Sequence, residues 1–306
     1  MIIAEGLTKY FDTFLAVDTL SFNVSAGKVL ILLGPNGAGK TTTVRMLTSI
    51  LRPSRGWAKV AGYDVVTQAE KVRAAVGVLT EHHGLYVRMN AIEYLDFYGH
   101  LYGLSSSQRK KRAEELLNKF GLLDARKKRL GEYSKGMRQK LALVRAMLHE
   151  PQVLLLDEPT SAMDPESARL VREAIKGLQT DERTILLCTH NLAEAEELAD
   201  QLAIIRKGQI LYSGSVETFK DQQLGAKEYL ATFANGTNGW QGELPDGVKI
   251  SGVGESSLRF RVEQPMETNP QVIQKLLQQS NSLVTFQEIS RSLEAAYLRA
   301  LQQAQE

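Results

Sequence analysis

KVLILLGPNGAGKTTTVRML, residues 28–47, decides the fold. An apolar run of strand length leads into a loop carrying Gly34, Gly37 and Gly39, and a helix-forming stretch follows. Gly34, Gly39, Lys40 and Thr41 satisfy the pattern G-x-x-x-x-G-K-[ST], here between a strand and a helix. In that context the pattern cradles phosphate. The glycines permit backbone angles and close approaches that a Cβ would block. Loop N–H groups, with Pro35, Asn36 and Ala38 filling out the turn, then converge with the helix N-terminus on phosphate oxygens. Lys40 is expected to reach the β and γ phosphates, the Thr41 hydroxyl to ligate Mg²⁺, and Thr42 to close the cradle.

A second stretch completes such a site. VLLLDEP, residues 153–159, is a buried-strand pattern ending in two adjacent carboxylates. Asp157 is expected beside the magnesium and Glu158 where it can orient and deprotonate the attacking water. The chemistry is that of an NTPase, in which positioning and charge neutralisation do most of the catalysis. A general base in that role contributes roughly 10²–10⁴-fold.

Further short apolar runs, residues 184–189 and 202–208, read as strands apolar on both faces, and helical stretches alternate with them. One of these helices, residues 137–150, has Met137, Leu141, Val144 and Leu148 at helical spacing before Pro151. The alternation predicts an α/β core. Residues 90–131 instead hold two helix-like segments without a clear strand, and read as a helical insertion. Its basic clusters, 109–112 and 126–129, fit a solvated helix face, with a partner or lipid headgroups as the sharper alternative. After about residue 218 the texture changes. Turn-formers at 235–247 precede alternating strands, a helix, a strand and a final helix, which reads as a small α+β appendage. Asn269 and Pro270 are expected to start the first of those helices as cap and first position.

The bulk numbers set limits. At roughly 150 residues per domain, 306 residues predict two domains. Net charge of +2 does not argue for nucleic acid. Cys188, the one cysteine, excludes an intrachain disulfide and fits a reducing compartment. Neither a signal peptide nor a run of ~20 apolar residues is present, so the expectation is a soluble protein or one peripheral to a membrane.

YSKGM, residues 133–137, looks like a second anion cradle: Ser134 can cap a helix and Gly136 lets backbone N–H groups approach a ligand. With this stretch in place, residues 3–218 resemble the ATP-binding subunits of ABC transporters. The phosphate loop corresponds to that family's Walker A motif, 153–158 to its Walker B, and YSKGM to its LSGGQ-type signature. SAMD (161–164) resembles the D-loop, with Asp164 its carboxylate, and His190 resembles the switch histidine that contacts the γ-phosphate. Phe11 falls where an aromatic ring stacks on adenine. Glu81 aligns with the Q-loop, where glutamine is usual, and would still accept from a metal-bound water. Two departures stand out: Glu81 itself, and a signature that begins with Tyr133 and has Lys135 in place of its first glycine. Adjacent His82 and His83 read as loop residues rather than a metal site, and Cys188 as a buried small residue.

The resemblance implies a P-loop NTPase core of ABC type over 1–218. N-terminal antiparallel strands and a helical subdomain at about 87–150 would complete it, and an accessory domain over 219–306 would follow. It implies ATP and Mg²⁺ as cofactors. It also implies a second nucleotide-binding chain, most simply another copy, because the signature serves the nucleotide held by the partner. Integral membrane subunits would dock on the helical insertion near 81–104, at the cytoplasmic face of the membrane. YSKGMRQKLALVRAML and the tail SLEAAYLRAL look like the branch serving drug and antibiotic exporters, sodium extruders and nodulation-type exporters, so export is expected. The alternative is a soluble ATPase of this type acting as a regulator. Translation factors with paired cassettes, relatives with long coiled coils, and switch GTPases with Asn-Lys-x-Asp do not fit this chain.

Overall fold

The computed structural model describes residues 1–80, 84–161, 163–179, 183–237, 244–279 and 282–303. Its N-terminus opens with β1 (Ile2–Phe11) and β2 (Phe14–Val24), joined by a tight turn in which Asp12 takes a positive φ of 49°. Burial alternates along β2, as expected of a strand with one face on a core. β3 (Val29–Leu33) is buried at every residue, because layers cover both of its faces. α1 (Lys40–Leu47) follows the glycine loop, and then come β4 (Arg55–Val60), β5 (Tyr63–Asp64), α2 (Ala69–Ala75) and β6 (Val76–Leu79). α3 (Ala91–Leu101), α4 (Ser106–Lys119) and α5 (Lys135–Met147) pack together as the helical insertion. α3 and α4 both begin in capping boxes, built on Asn90 with Glu93 and on Ser105 with Gln108.

The chain then returns through β7 (Val153–Asp157), α6 (Pro165–Gln179), β8 (Thr184–Thr189), α7 (Leu192–Leu198), β9 (Gln201–Arg206) and β10 (Gln209–Gly214). Two sheets result. One is antiparallel, in the order β2-β1-β4-β5; the other runs β10-β9-β3-β8-β7-β6, parallel except for β10 at its edge. A single core lies between them, with Leu7, Leu20 and Val60 from the first sheet and Leu30, Leu32 and Leu186 from the second. Val44, Met46 and Leu47 of α1 are buried in that same core, so the helix behind the phosphate loop is anchored by both sheets.

By its internal contacts the chain divides into Met1–Val216 and Glu217–Glu306. α8 (Val216–Leu224) leads into the second unit. There β11 (Lys227–Phe233), β12 (Val248–Val253), β13 (Ser257–Val262) and β14 (Leu283–Glu288) form an antiparallel sheet in the order β12-β13-β11-β14. α9 (Pro265–Gln279) packs on it through Val272 and Leu276, and α10 (Leu293–Gln303) is the last element. The start expected at Asn269 is corrected here. α9 begins at Pro265, and Pro270 lies inside it. Pro265 already takes the first position, where a missing N–H costs nothing, and Glu267 in the first turn favours the helix dipole. Among the described residues no helix is long and apolar enough to cross a membrane.

Candidate functional site

Parallel strand order builds the site. β3, β8 and β7 are neighbours, with Leu33 opposite Thr189 and Cys188 opposite Asp157. Their carboxyl ends therefore open on one edge, where open α/β sheets bind ligands. A cleft of about 500 Å³ lies there. Phe11, Pro35, Asn36, Gly37, Ala38, Gly39, Lys40, Thr41, Thr42, Asp157, Glu158 and His190 line it, all of them singled out from sequence. Phe14, Ala16 and Ser161 also line it and were not.

The phosphate loop has the backbone its glycines predict. Gly37 and Gly39 lie at φ 78° and 107°, and a Cβ on Gly39 would come within 2.8 Å of the Ala16 carbonyl oxygen. Gly39 caps α1 without any side-chain hydrogen bond. The first N–H groups of a helix have no partner within it, so this end is suited to an anion. Lys40 is 5% exposed. Its Nζ donates to the carbonyls of Gly34 (2.6 Å) and Pro35 (3.2 Å) and lies 3.3 Å from Glu158 Oε1. The Thr41 hydroxyl donates to Asp157 Oδ2 at 2.7 Å.

Glu158 holds a left-handed backbone, φ 53°, unusual for a residue with a Cβ. Besides Lys40, three partners hold it. Its N–H donates to the Cys188 carbonyl at 2.9 Å, and Gln139 Nε2 donates to the carbonyls of Glu158 and Pro159, both at 3.1 Å. The third is at the side chain, where Oε1 lies 2.9 Å from His190 Nδ1. Gln139 follows the signature stretch in sequence, but nothing in a helical repeat marks a buried amide that reaches a distant backbone. Cys188 is fully buried between these groups, and burial raises its thiol pKa well above the usual value.

The signature stretch lies apart from the cleft lining. Tyr133 is buried, with its hydroxyl donating to the Ala125 carbonyl at 2.9 Å, so the aromatic departure serves as an anchor. Ser134 caps α5, accepting from Met137 N–H at 3.2 Å. A Cβ added to Gly136 would meet nothing closer than Asp164 Oδ2 and Ser167 Oγ, each at 4.0 Å. Asp164 accepts from Ser167 N–H at 2.9 Å, which, with further bonds from Ser167, lowers its carboxyl pKa. Phe11 and Phe14 face each other across the first hairpin, and Lys9 Nζ lies 5.4 Å from the Phe11 ring centre. Phe14 was legible in principle, since the turn FDTF sets two phenylalanines opposite each other. Glu81, His82 and His83 fall outside the described residues.

A family model described as ABC transporter matches residues 17–161. The ABC transporter ATP-binding protein NatA of Bacillus subtilis is 42% identical over 209 residues, covering 68% of this chain and 85% of that protein. The daunorubicin resistance ATP-binding protein DrrA3 of Streptomyces coeruleorubidus is 38% identical over 73% of this chain and 71% of its own length. A solved structure of an ATP-binding subunit of an ABC transporter superposes with a TM-score of 0.69 at 29% identity, covering 74% of this chain and 94% of that one. The chain belongs to this family: it is an ATP-binding, ATP-hydrolysing subunit of the ABC transporter type.

Proposed function

We propose that this chain powers an exporter, with each ATP held between the Walker residues of one chain and the signature of a second copy. One observation carries the reading. Lys40, Thr41, Asp157, Glu158 and His190 line a single cleft, whereas Ser134, Gly136 and Asp164 do not. The open space beside Gly136 supports it, because nothing in this chain's own packing requires a glycine there.

In this reading the loop amides and Lys40 hold the phosphates. Lys40 then leaves its carbonyl partners, and Glu158 becomes free to take a proton from water. His190, half exposed beside Glu158, orients that carboxylate and faces the terminal phosphate. Phe11 and Phe14 supply an exposed aromatic ledge for the base. The Thr41 hydroxyl and Asp157 carboxylate are an oxygen-only donor pair, suited to Mg²⁺, which takes one or two protein oxygens and leaves the rest to water and phosphate. Bound there, Mg²⁺ would neutralise developing phosphate charge. Glu81 joins the proposal as acceptor to the metal-bound water.

Separate membrane subunits would dock on the helical insertion at the cytoplasmic face of the membrane. Tyr86, Ile92, Phe97, Leu101 and Tyr102 are exposed on α3 and its flanks, an apolar surface of the kind interfaces cover. The drug-resistance relative supports export as the direction. The accessory domain is assigned to 219–306.

Mixing two inactive variants tests the shared site. Lys40→Ala and Ser134→Arg chains should each be inactive alone. Their mixture should recover turnover, because one of the two sites in a mixed pair is intact. A mixture as inactive as its parts, with mixed pairs shown to form, would refute the reading.

A further inference from the structure

Glu194 is a buried acid with no part in the chemistry described above. It lies in the first turn of α7, four residues after His190, and is 1% exposed. Its Oε1 accepts a hydrogen bond from the Thr160 hydroxyl at 3.0 Å, and the Thr189 hydroxyl also bears on the buried carboxyl. Thr160 stands two residues after Glu158 and one before Ser161, which lines the cleft. Beyond the Glu158 N–H bond to the Cys188 carbonyl, the two segments that carry Glu158 and His190 are tied by two side-chain contacts. One tie is the Glu158–His190 contact at 2.9 Å, and the other is the Thr160–Glu194 bond.

The ties differ in exposure to water. His190 is 55% exposed, so water competes for its contact with Glu158. The Thr160–Glu194 bond is buried, which makes it the less screened of the two. The rest of the turn backs that bond. Asn191 Oδ1 accepts from the N–H groups of Ala193 and Glu194, fixing the start of α7 two residues beyond His190. The Thr189 hydroxyl accepts from Asn191 N–H. On the neighbouring strand end, Cys188 and Gln139 hold the left-handed backbone of Glu158, and Thr160 ties the residues that follow. A buried acid is costly unless it is hydrogen-bonded, so the hydroxyl contacts are what make Glu194 tolerable there.

We infer that Glu194 is a positioning residue for this same site: through Thr160 it holds the Glu158 turn at its working distance from His190. The inference rests on the reading in which Glu158 activates water.

Steady-state hydrolysis and separate ATP binding on the full chain test it. Thr160→Val removes the donor at constant volume, and Glu194→Ala removes the acceptor. Each should lower kcat on the order of 10–100-fold, the cost of a small misplacement of reacting groups. ATP affinity and KM should stay at the starting values. Thr160→Ser and Glu194→Gln, which keep a donor and an acceptor, should restore kcat. Thr160→Val and Glu194→Ala combined should cost no more than Glu194→Ala alone, since both break the Thr160–Glu194 bond. A change confined to KM or to melting temperature would overturn the inference, and so would additive losses. Glu158→Gln separates the two levels. If that variant is inactive while Thr160→Val and Glu194→Ala turn over normally, the positioning role alone is wrong. If Glu158→Gln itself turns over normally, the water-activation reading fails and takes this inference with it.

Discussion

Acid should weaken the nucleotide-binding unit through His149. Its ring stacks on Tyr102 at 3.7 Å, nearly parallel, and its Nε2 lies 3.1 Å from the Val76 carbonyl. A carbonyl only accepts, so Nε2 must carry the proton. Nδ1 is buried with no partner, so a second proton would place an N–H where nothing receives it. Burial accordingly lowers the His149 pKa from 6.5 to about 4, the Val76 bond opposing only in part. Between those values the unfolded chain binds the proton and the folded chain does not. The stabilisation is thus complete above the unfolded pKa and is lost as pH falls toward the folded one. At about pH 5 the unfolded form gains ~1.5 pH units of protonation free energy, at most about 2 kcal/mol. His149→Phe keeps the stacked ring but cannot titrate. At neutral pH it should be less stable by about 1 kcal/mol, for the lost hydrogen bond. Urea unfolding followed at Trp57, in a Trp240→Phe background, gives both stabilities. The difference between the two proteins should shrink as pH falls, pass through zero near about pH 5.8 and be reversed by about 1 kcal/mol at about pH 5. Parallel curves from neutral pH to pH 5 would refute the argument, as would a His149 ring titrating near its ordinary value by NMR.

Other expectations follow from the same geometry. Glu158→Gln should lose hydrolysis by roughly 10²–10⁴-fold while keeping ATP binding, read by turnover and by nucleotide titration. Gly39→Ala should destabilise the chain more than Gly37→Ala, by about 1–3 kcal/mol against about 1. Both glycines have positive φ, but only at Gly39 does the new Cβ meet backbone, and thermal unfolding of the pair reads the difference. Gly136→Ala should leave the melting temperature within experimental error, since the chain has room for the methyl, yet depress turnover at saturating ATP.

Most of the cleft was legible because its residues sit at fixed offsets from strand ends. Gly34, Gly39, Lys40 and Thr41 fall within one strand–loop–helix unit, and Asp157 ends a five-residue buried strand with Glu158 directly after it. Local spacing carries that information, since backbone angles and helix geometry act over a few residues. Gln139, Thr160 and Glu194 gave no such sign. Their partners lie 19 to 34 residues away along the chain. Pro270 misled for a related reason: its local pattern suits a helix start, but Gln264 and Pro265 had already begun one.

From the amino acids alone came the phosphate loop, the two carboxylates, the capped signature helix and the α/β alternation, because each is a short-range consequence of residue type. Packing alone decided that β3, β8 and β7 would lie side by side, and so that Lys40, Glu158 and His190 would share one cleft. Strand order is set by which apolar faces bury against which, a property of the whole chain that no local segment contains.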